Sequence, residues 1–229
     1  MSIEQINEKH PHGGDWLREI VFGLNDGLVT TLVFIMAVSQ IAPGHLLLVV
    51  VGEVLAGAIS MTLGGFLSAR TAKQILDQRI ATERYEVENE PEEERAELLA
   101  IYHKKGFRDP LLNQVVDHLT SNRERWHQAM VHDELGVVED TQIHPLVQGV
   151  QVGLSFLIGG IIPAVPVIFA LPFLQWWAYG LTALTAMTLG AIKARYTGQG
   201  ALRAGLEFLV IVTVGTLAGV GVGTLLHVG

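Results

Sequence analysis

Two carboxylates stand in stretches of this chain where a carboxylate is costly. Asp26 lies in the apolar run Leu17–Ile41, and Glu53 lies in the apolar run Leu46–Ala69. Each run is long enough to cross a bilayer. An acid deep in a membrane costs roughly 2.5–3.5 kcal/mol or more, so it usually serves a purpose such as an ion path. Glu19 and Asp26 are seven residues apart and share one helical face, which Thr30 continues, while Asn25 and Gly27 flank Asp26. Glu53, Gly57 and Met61 follow a four-residue step along a second face, which Gly64 extends. Carboxylates with a thioether suit a divalent transition metal better than calcium or magnesium, which prefer oxygen alone. Carboxylates also bind protons, so the same residues can couple metal movement to a proton gradient. The plainer alternative is that Asp26 and Glu53 only tie neighbouring helices together and that Met61 only packs.

A second constellation lies further along. Glu83 and Glu86 are three residues apart, as are Glu94 and Glu97, and Met130 and Glu134 are four apart. Such pairs put two side chains on one helix face, and carboxylate pairs from facing helices are how bundles hold di-metal centres. Glu-x-x-Glu stands where an oxidising di-iron bundle carries Glu-x-x-His. His103, His118, His127 and His132 are further candidate ligands. The alternative here is a solvated acidic helix face.

These residues need elements to position them. The chain has 229 residues, is 49% hydrophobic and has a mean hydropathy of +0.38. Residues 17–70 and 146–229 are nearly free of charge. Residues 71–145 hold 16 Asp and Glu against 9 Lys and Arg, so 7 of the chain's 8 net negative charges belong there. No basic nucleic-acid footprint exists, and the absence of cysteine excludes disulfides and thiolate metal sites. The polar segment MSIEQINEKHPHGGDW has no apolar centre and is not a cleavable signal peptide.

Five segments read as membrane helices at about 30 Å of hydrocarbon and 1.5 Å rise per residue: residues 17–41, 46–70, 147–169, 174–195 and 203–227. Arg18, Arg70, Lys73, Arg79, Lys193, Arg195 and Arg203 all fall on one side. The positive-inside rule then puts the N-terminal tail (1–16) and the insert (71–145) in the cytoplasm and the C-terminus outside. The expected fold is an all-α membrane protein of five transmembrane helices, with a three-helix cytoplasmic metal-binding insert between helices 2 and 3. In the insert, residues 71–89 continue the second span. A second helix opens at Pro91, with Glu92, Glu93 and Glu94 in its first turn, and ends at Gly106. Residues 110–135 form a third. Glu207 reads as a snorkelling side chain, and Gly215, Gly219 and Gly223 read as a helix-packing stripe.

A faint repeat runs through the apolar part. Gly23–Leu28 echoes Gly149–Leu154, and Met61–Gly64 echoes Met187–Gly190, both at an offset of 126 residues. The pattern suggests a duplicated hairpin in parallel orientation, as in transporters. Val152 and Tyr179 then stand in the second copy where Asp26 and Glu53 stand in the first. One subunit would supply half a polar path, which a second copy would complete.

The motifs FGLNDGLVTT, GEVLAGAISMTLGGFLSAR and ATERYEVENEPEEERAEL, in that order, resemble the vacuolar iron transporter family over residues 16–229. The resemblance implies a homodimer in the lipid membrane that exports Fe²⁺, and sometimes Mn²⁺ or another divalent ion such as Zn²⁺ or Co²⁺, from the cytosol in exchange for protons. It implies no permanent cofactor and no nucleic-acid partner. It implies a transport path through Glu19, Asp26, Glu53, Gly57 and Met61, with Glu19 where the family has an aspartate. It also implies metal ligation in the insert by Glu83, Glu86, Glu94, Glu97, Met130 and Glu134, with Val131 where a second methionine is expected.

The reading that follows is a proton-coupled divalent-metal exporter, not an enzyme. It is a multi-pass protein expected in a prokaryotic plasma membrane. Two rivals remain at this stage: a membrane-anchored ferroxidase, and an iron sensor or storage protein built on the acidic insert. The first lacks Glu-x-x-His pairs, and the second leaves Asp26 and Glu53 without a use.

Overall fold

The computed structural model describes residues 14–39, 43–136 and 144–226. These form eight α-helices and no strand: α1 (Gly14–Val38), α2 (Pro43–Asn89), α3 (Pro91–Lys104), α4 (Leu111–Thr120), α5 (Arg123–Asp133), α6 (Pro145–Ile168), α7 (Leu174–Thr197) and α8 (Ala201–Leu226). They fall into two compact units, one made of the chain up to Ala69 and from His144 onward, the other of Arg70–Ile143.

In the first unit, α1, the first part of α2, α6, α7 and α8 share a core that includes Leu32, Ile35, Val50, Val167, Phe208 and Val212. Between apolar helices in lipid there is little hydrophobic drive, so contact depends on small residues that let backbones approach. The sequence supplies them. A Cβ on Gly27 of α1 would strike the Phe156 carbonyl of α6, and one on Gly153 of α6 would strike Thr62 of α2. Gly219 of α8 faces the Val33 carbonyl of α1, and Gly223 faces that of Ala37, so the glycine stripe on α8 is spent on α1. On α7 the buried residues Ala178, Thr182, Ala186, Gly190 and Ala194 recur at every fourth position.

Four of the described helices contain a stretch long and apolar enough to cross a membrane: Trp16–Val38, His45–Asn89, Pro145–Ile168 and Ala201–Leu225. The expected fourth span, residues 174–195, is helical as α7 but falls short of that apolarity. Gln175, Tyr179, Thr182, Thr185, Lys193 and Arg195 dilute it. Glu207 does not reach for solvent alone, since it lies 3.9 Å from Lys193 and 3.7 Å from Arg203.

The second unit holds the rest of α2 with α3, α4 and α5, around Val87, Leu98, Leu112, Val116, Trp126 and Met130. Pro91 occupies the first turn of α3, with Glu92, Glu93 and Glu94 there as expected. The expected single helix over 110–135 is instead two. Asn122 adopts an extended conformation (φ −136°, ψ 124°), and its side-chain oxygen accepts the Arg125 backbone N–H at 3.0 Å. That cap satisfies a donor left over at a helix start and separates α4 from α5. The insert therefore has four helical segments rather than three.

Candidate metal centres

The first cluster belongs to the membrane unit. Glu53, on α2, is half-buried, and its Oε2 accepts a hydrogen bond from the Thr31 hydroxyl of α1 at 3.0 Å. Thr31 itself is fully buried. Asp26 is also half-buried, with a long contact of 3.4 Å to the Thr30 hydroxyl. Asp26 and Glu53 are near enough for their charges to act on one another. The amide oxygen of Asn25, beside Asp26, is buried without a hydrogen-bond partner.

Glu19 has partners of its own. Its Oε1 accepts from Arg18 at 2.9 Å and from the Gln148 amide of α6 at 2.8 Å. Met61 is half-buried on α2. Gly57 is the place where the Phe156 ring of α6 lies against α2, whereas nothing stands within 4 Å of a Cβ on Gly64. Sequence spacing pointed to Thr30 and overlooked Thr31 and Gln148, whose importance depends on a neighbouring helix.

The second cluster belongs to the insert. Carboxylate oxygens of Glu83 (α2), Glu94 (α3) and Glu134 (just past α5) all lie within 4.8 Å of one another. Glu83 and Glu94 are buried, at 3% and 6% exposure. Glu83 Oε1 and Glu94 Oε2 have no hydrogen-bond partner. Buried polar atoms are nearly always satisfied, so two orphaned carboxylate oxygens within this group make it a candidate place for a cation.

The protonation of the cluster fits this. Burial first, then the charges of Glu134, Glu94 and Glu86, push the Glu83 carboxyl up to about 8. Burial likewise raises Glu94, opposed by its hydrogen bond with Glu83 and reinforced by the charges of Glu97, Glu86 and Glu134. Glu134 is raised by burial and by Glu97 and Glu86. A proton shared among the three glutamates and a bound cation are therefore alternatives at this point.

Glu86 is half-buried and Glu97 exposed, so they flank the buried pair instead of joining it. One helical turn along from each of the three glutamates stands a core residue: Val87, Leu98 and Met130. Met130 is wholly buried in that apolar layer. Among the histidines, His127 is buried against the Ile80 carbonyl (3.2 Å), His118 meets Arg125 (3.0 Å), and His132 meets Asp133 (2.8 Å). The three-glutamate group contains no histidine.

The arrangement is all-oxygen and acidic in the insert, and acidic with hydroxyl support in the membrane unit. Both suit divalent cations and protons; neither presents a nucleophile. Comparison with known proteins agrees. "Vacuolar iron transporter 1" of Tulipa gesneriana is 29% identical over 214 residues, covering 91% of this chain and 86% of the relative. "Vacuolar iron transporter 1" of Arabidopsis thaliana is 28% identical over 221 residues, covering 94% and 88%. The "Vacuolar iron transporter" of Acanthamoeba castellanii is 31% identical over 193 residues, covering 82% and 69%. The profile of the VIT family matches residues 17–224. This integral membrane protein is a member of the VIT family, whose members are transporters and not enzymes.

Proposed function

We propose that the protein exports Fe²⁺ from the cytosol in exchange for protons and also accepts Mn²⁺. The observation that carries the reading is the convergence of Glu134 on the buried Glu83 and Glu94, with two carboxylate oxygens unsatisfied. Iron as the cargo is supported by the names of the relatives. The insert, with Glu86, Glu97 and Met130 alongside the three glutamates, collects the ion. Glu19, Asp26, Glu53, Gly57 and Met61 form the path across the bilayer, and Asp26 and Glu53 take up protons when the ion has left. A membrane acid without a structural partner charge is a functional residue by default.

The working unit in this reading is a homodimer of five-span subunits. α7 is the fourth span, the insert faces the cytoplasm, and the C-terminus faces away from it. The bilayer is a plasma membrane or, as the relatives' names suggest, a vacuolar one; in both cases the ion leaves the cytosol. Family membership removes the ferroxidase and the passive anchor as rivals. The test is uptake of Fe²⁺ into proteoliposomes under an imposed pH gradient. Wild-type protein takes up Fe²⁺ and the lumen alkalises in step, because protons leave as the metal enters. Asp26→Ala and Glu53→Ala do not. Uptake by either variant at the wild-type rate sinks the proposed path, and metal uptake without proton movement sinks the exchange.

A further inference from the structure

Glu134 is the weakest-held member of the three-glutamate group by its place in the chain. It is exposed and lies past the last residue of α5, followed closely by Gly136 at φ +66°. Its backbone N–H still reaches the Met130 carbonyl at 2.8 Å, but helix ends fray when nothing ties them. The charges of Glu97 and Glu86 act on it too. Like charges push apart, and the hydrogen bond that Glu134 shares with Glu83 opposes that push, so a restraint on the loose helix end adds to it in keeping the carboxylate in the group.

The neighbouring residue supplies one. Asp133 keeps only 8% of its side chain exposed, and its Oδ1 lies 2.5 Å from Lys105 Nζ and 2.8 Å from His132 Nδ1. The Tyr102 hydroxyl hydrogen-bonds to the same carboxylate. Lys105 Nζ also sits over the Tyr102 ring, 4.8 Å from its centroid. Tyr102 and Lys105 come from the end of α3, the helix that carries Glu94. A lysine at the C-terminal end of α5 also suits the negative pole of that helix. The clamp ties α5 to α3 one residue before Glu134 and neutralises its own carboxylate with Lys105, so it adds restraint without adding repulsion.

We propose that Asp133, held by Lys105 and Tyr102, is a positioning residue that keeps Glu134 facing Glu83 and Glu94. The inference rests on the reading of those three glutamates as a cation site. Partners that orient metal ligands are worth about 10–100-fold in affinity when removed, and Asp133→Ala is expected near the lower end of that range. The test is Co²⁺ titration of the full-length protein in detergent, with the melting temperature of the metal-free protein measured alongside.

Asp133→Ala and Lys105→Ala should each weaken Co²⁺ binding by about tenfold. The double variant should weaken it no further, because both break one clamp. Lys105→Arg should restore near-wild-type affinity. Lys105 is exposed, so Lys105→Ala carries the test even where Asp133→Ala fails to fold. Unchanged Co²⁺ affinity in Lys105→Ala, or fully additive losses in the double variant, overturns the proposal, as does a lowered melting temperature with affinity intact. Glu134→Gln separates the two readings. If it leaves Co²⁺ affinity unchanged, the cation site itself is refuted. If it weakens binding while the clamp variants do not, only the clamp is refuted.

Discussion

Cation loading of the insert should follow pH in a way that Glu83 dictates. Its carboxyl, raised to about 8 by burial and by neighbouring glutamates, keeps a proton at neutral pH that an incoming cation must displace. With one competing proton, the ionised share of Glu83 is about 1 in 100 at pH 6, about 1 in 11 at pH 7 and about one half at pH 8. Apparent affinity should therefore climb about 50-fold between pH 6 and pH 8, worth about 2.3 kcal/mol, and then level off. Glu94 and Glu134 are raised as well and steepen the lower end.

The same shift sets the stability of the metal-free insert. An acid whose folded value lies above its ordinary 4.5 binds more protons folded than unfolded between 4.5 and about 8. Metal-free stability is thus greatest below that window and falls as pH rises through it, by at most about 1.4 kcal/mol per pH unit for this group. A bound cation replaces the proton and offsets the loss. Mn²⁺ titration followed by the electron paramagnetic resonance of the free ion, at pH 6, 7 and 8, measures the effect. Glu83→Gln should lose most of the slope above pH 7. A wild-type affinity that is flat from pH 6 to pH 8, or a Glu83→Gln variant that keeps the full slope, refutes the reasoning.

Other expectations follow from single contacts. Thr31→Val removes the hydrogen bond to Glu53; a bond to a charged group is worth about 1.5–3 kcal/mol, so Fe²⁺ uptake should fall about tenfold or more while Thr31→Ser stays close to wild type. Gly27→Ala drives a methyl into the Phe156 carbonyl and should cost about 1–3 kcal/mol, read as a lower melting temperature in detergent. Gly180→Ala, with nothing within 4 Å of its Cβ, should be neutral or slightly stabilising in the same assay. Asn122→Ala removes the cap of α5 and should cost about 1 kcal/mol, seen in the metal-free melt of the insert.

The helical class and the ends of most helices were readable because their signals are local. Pro91 with three following glutamates starts α3, and long charge-free runs announce α1, α6 and α8. The break between α4 and α5 was missed although Ser121-Asn122-Arg123-Glu124 has the composition of a cap, because apolar spacing runs through it. The limited apolarity of α7 was also visible in its threonines and its Lys193 and Arg195, but its length drew it in with the others. The three-residue spacing of Glu83 with Glu86 and of Glu94 with Glu97 pointed to the stretch where Glu83 and Glu94 converge with Glu134. It could not say that the first of each pair turns inward, since a three-residue step is 60° short of a full turn and packing decides between them. The partners Thr31 for Glu53, Gln148 for Glu19 and Lys105 for Asp133 are set by how one helix rotates against another, which no single-helix pattern contains.

The glycine seams on α6 have a mechanical consequence. α1 meets α6 through Gly23 and Gly27, and α2 meets it through Gly149 and Gly153, with backbone atoms of the facing helix close by. Contacts of that kind contain no long side chains that could swing or re-pack, so they slide poorly and open at once or not at all. The helices that carry Asp26 and Glu53 are in effect bolted to a common keel. Any rearrangement that lets an ion through should leave these seams shut and take place at surfaces lined by flexible side chains. Changes of metal preference can then be sought on the acid-bearing faces of α1 and α2, while the seams tolerate almost no substitution whatever the cargo.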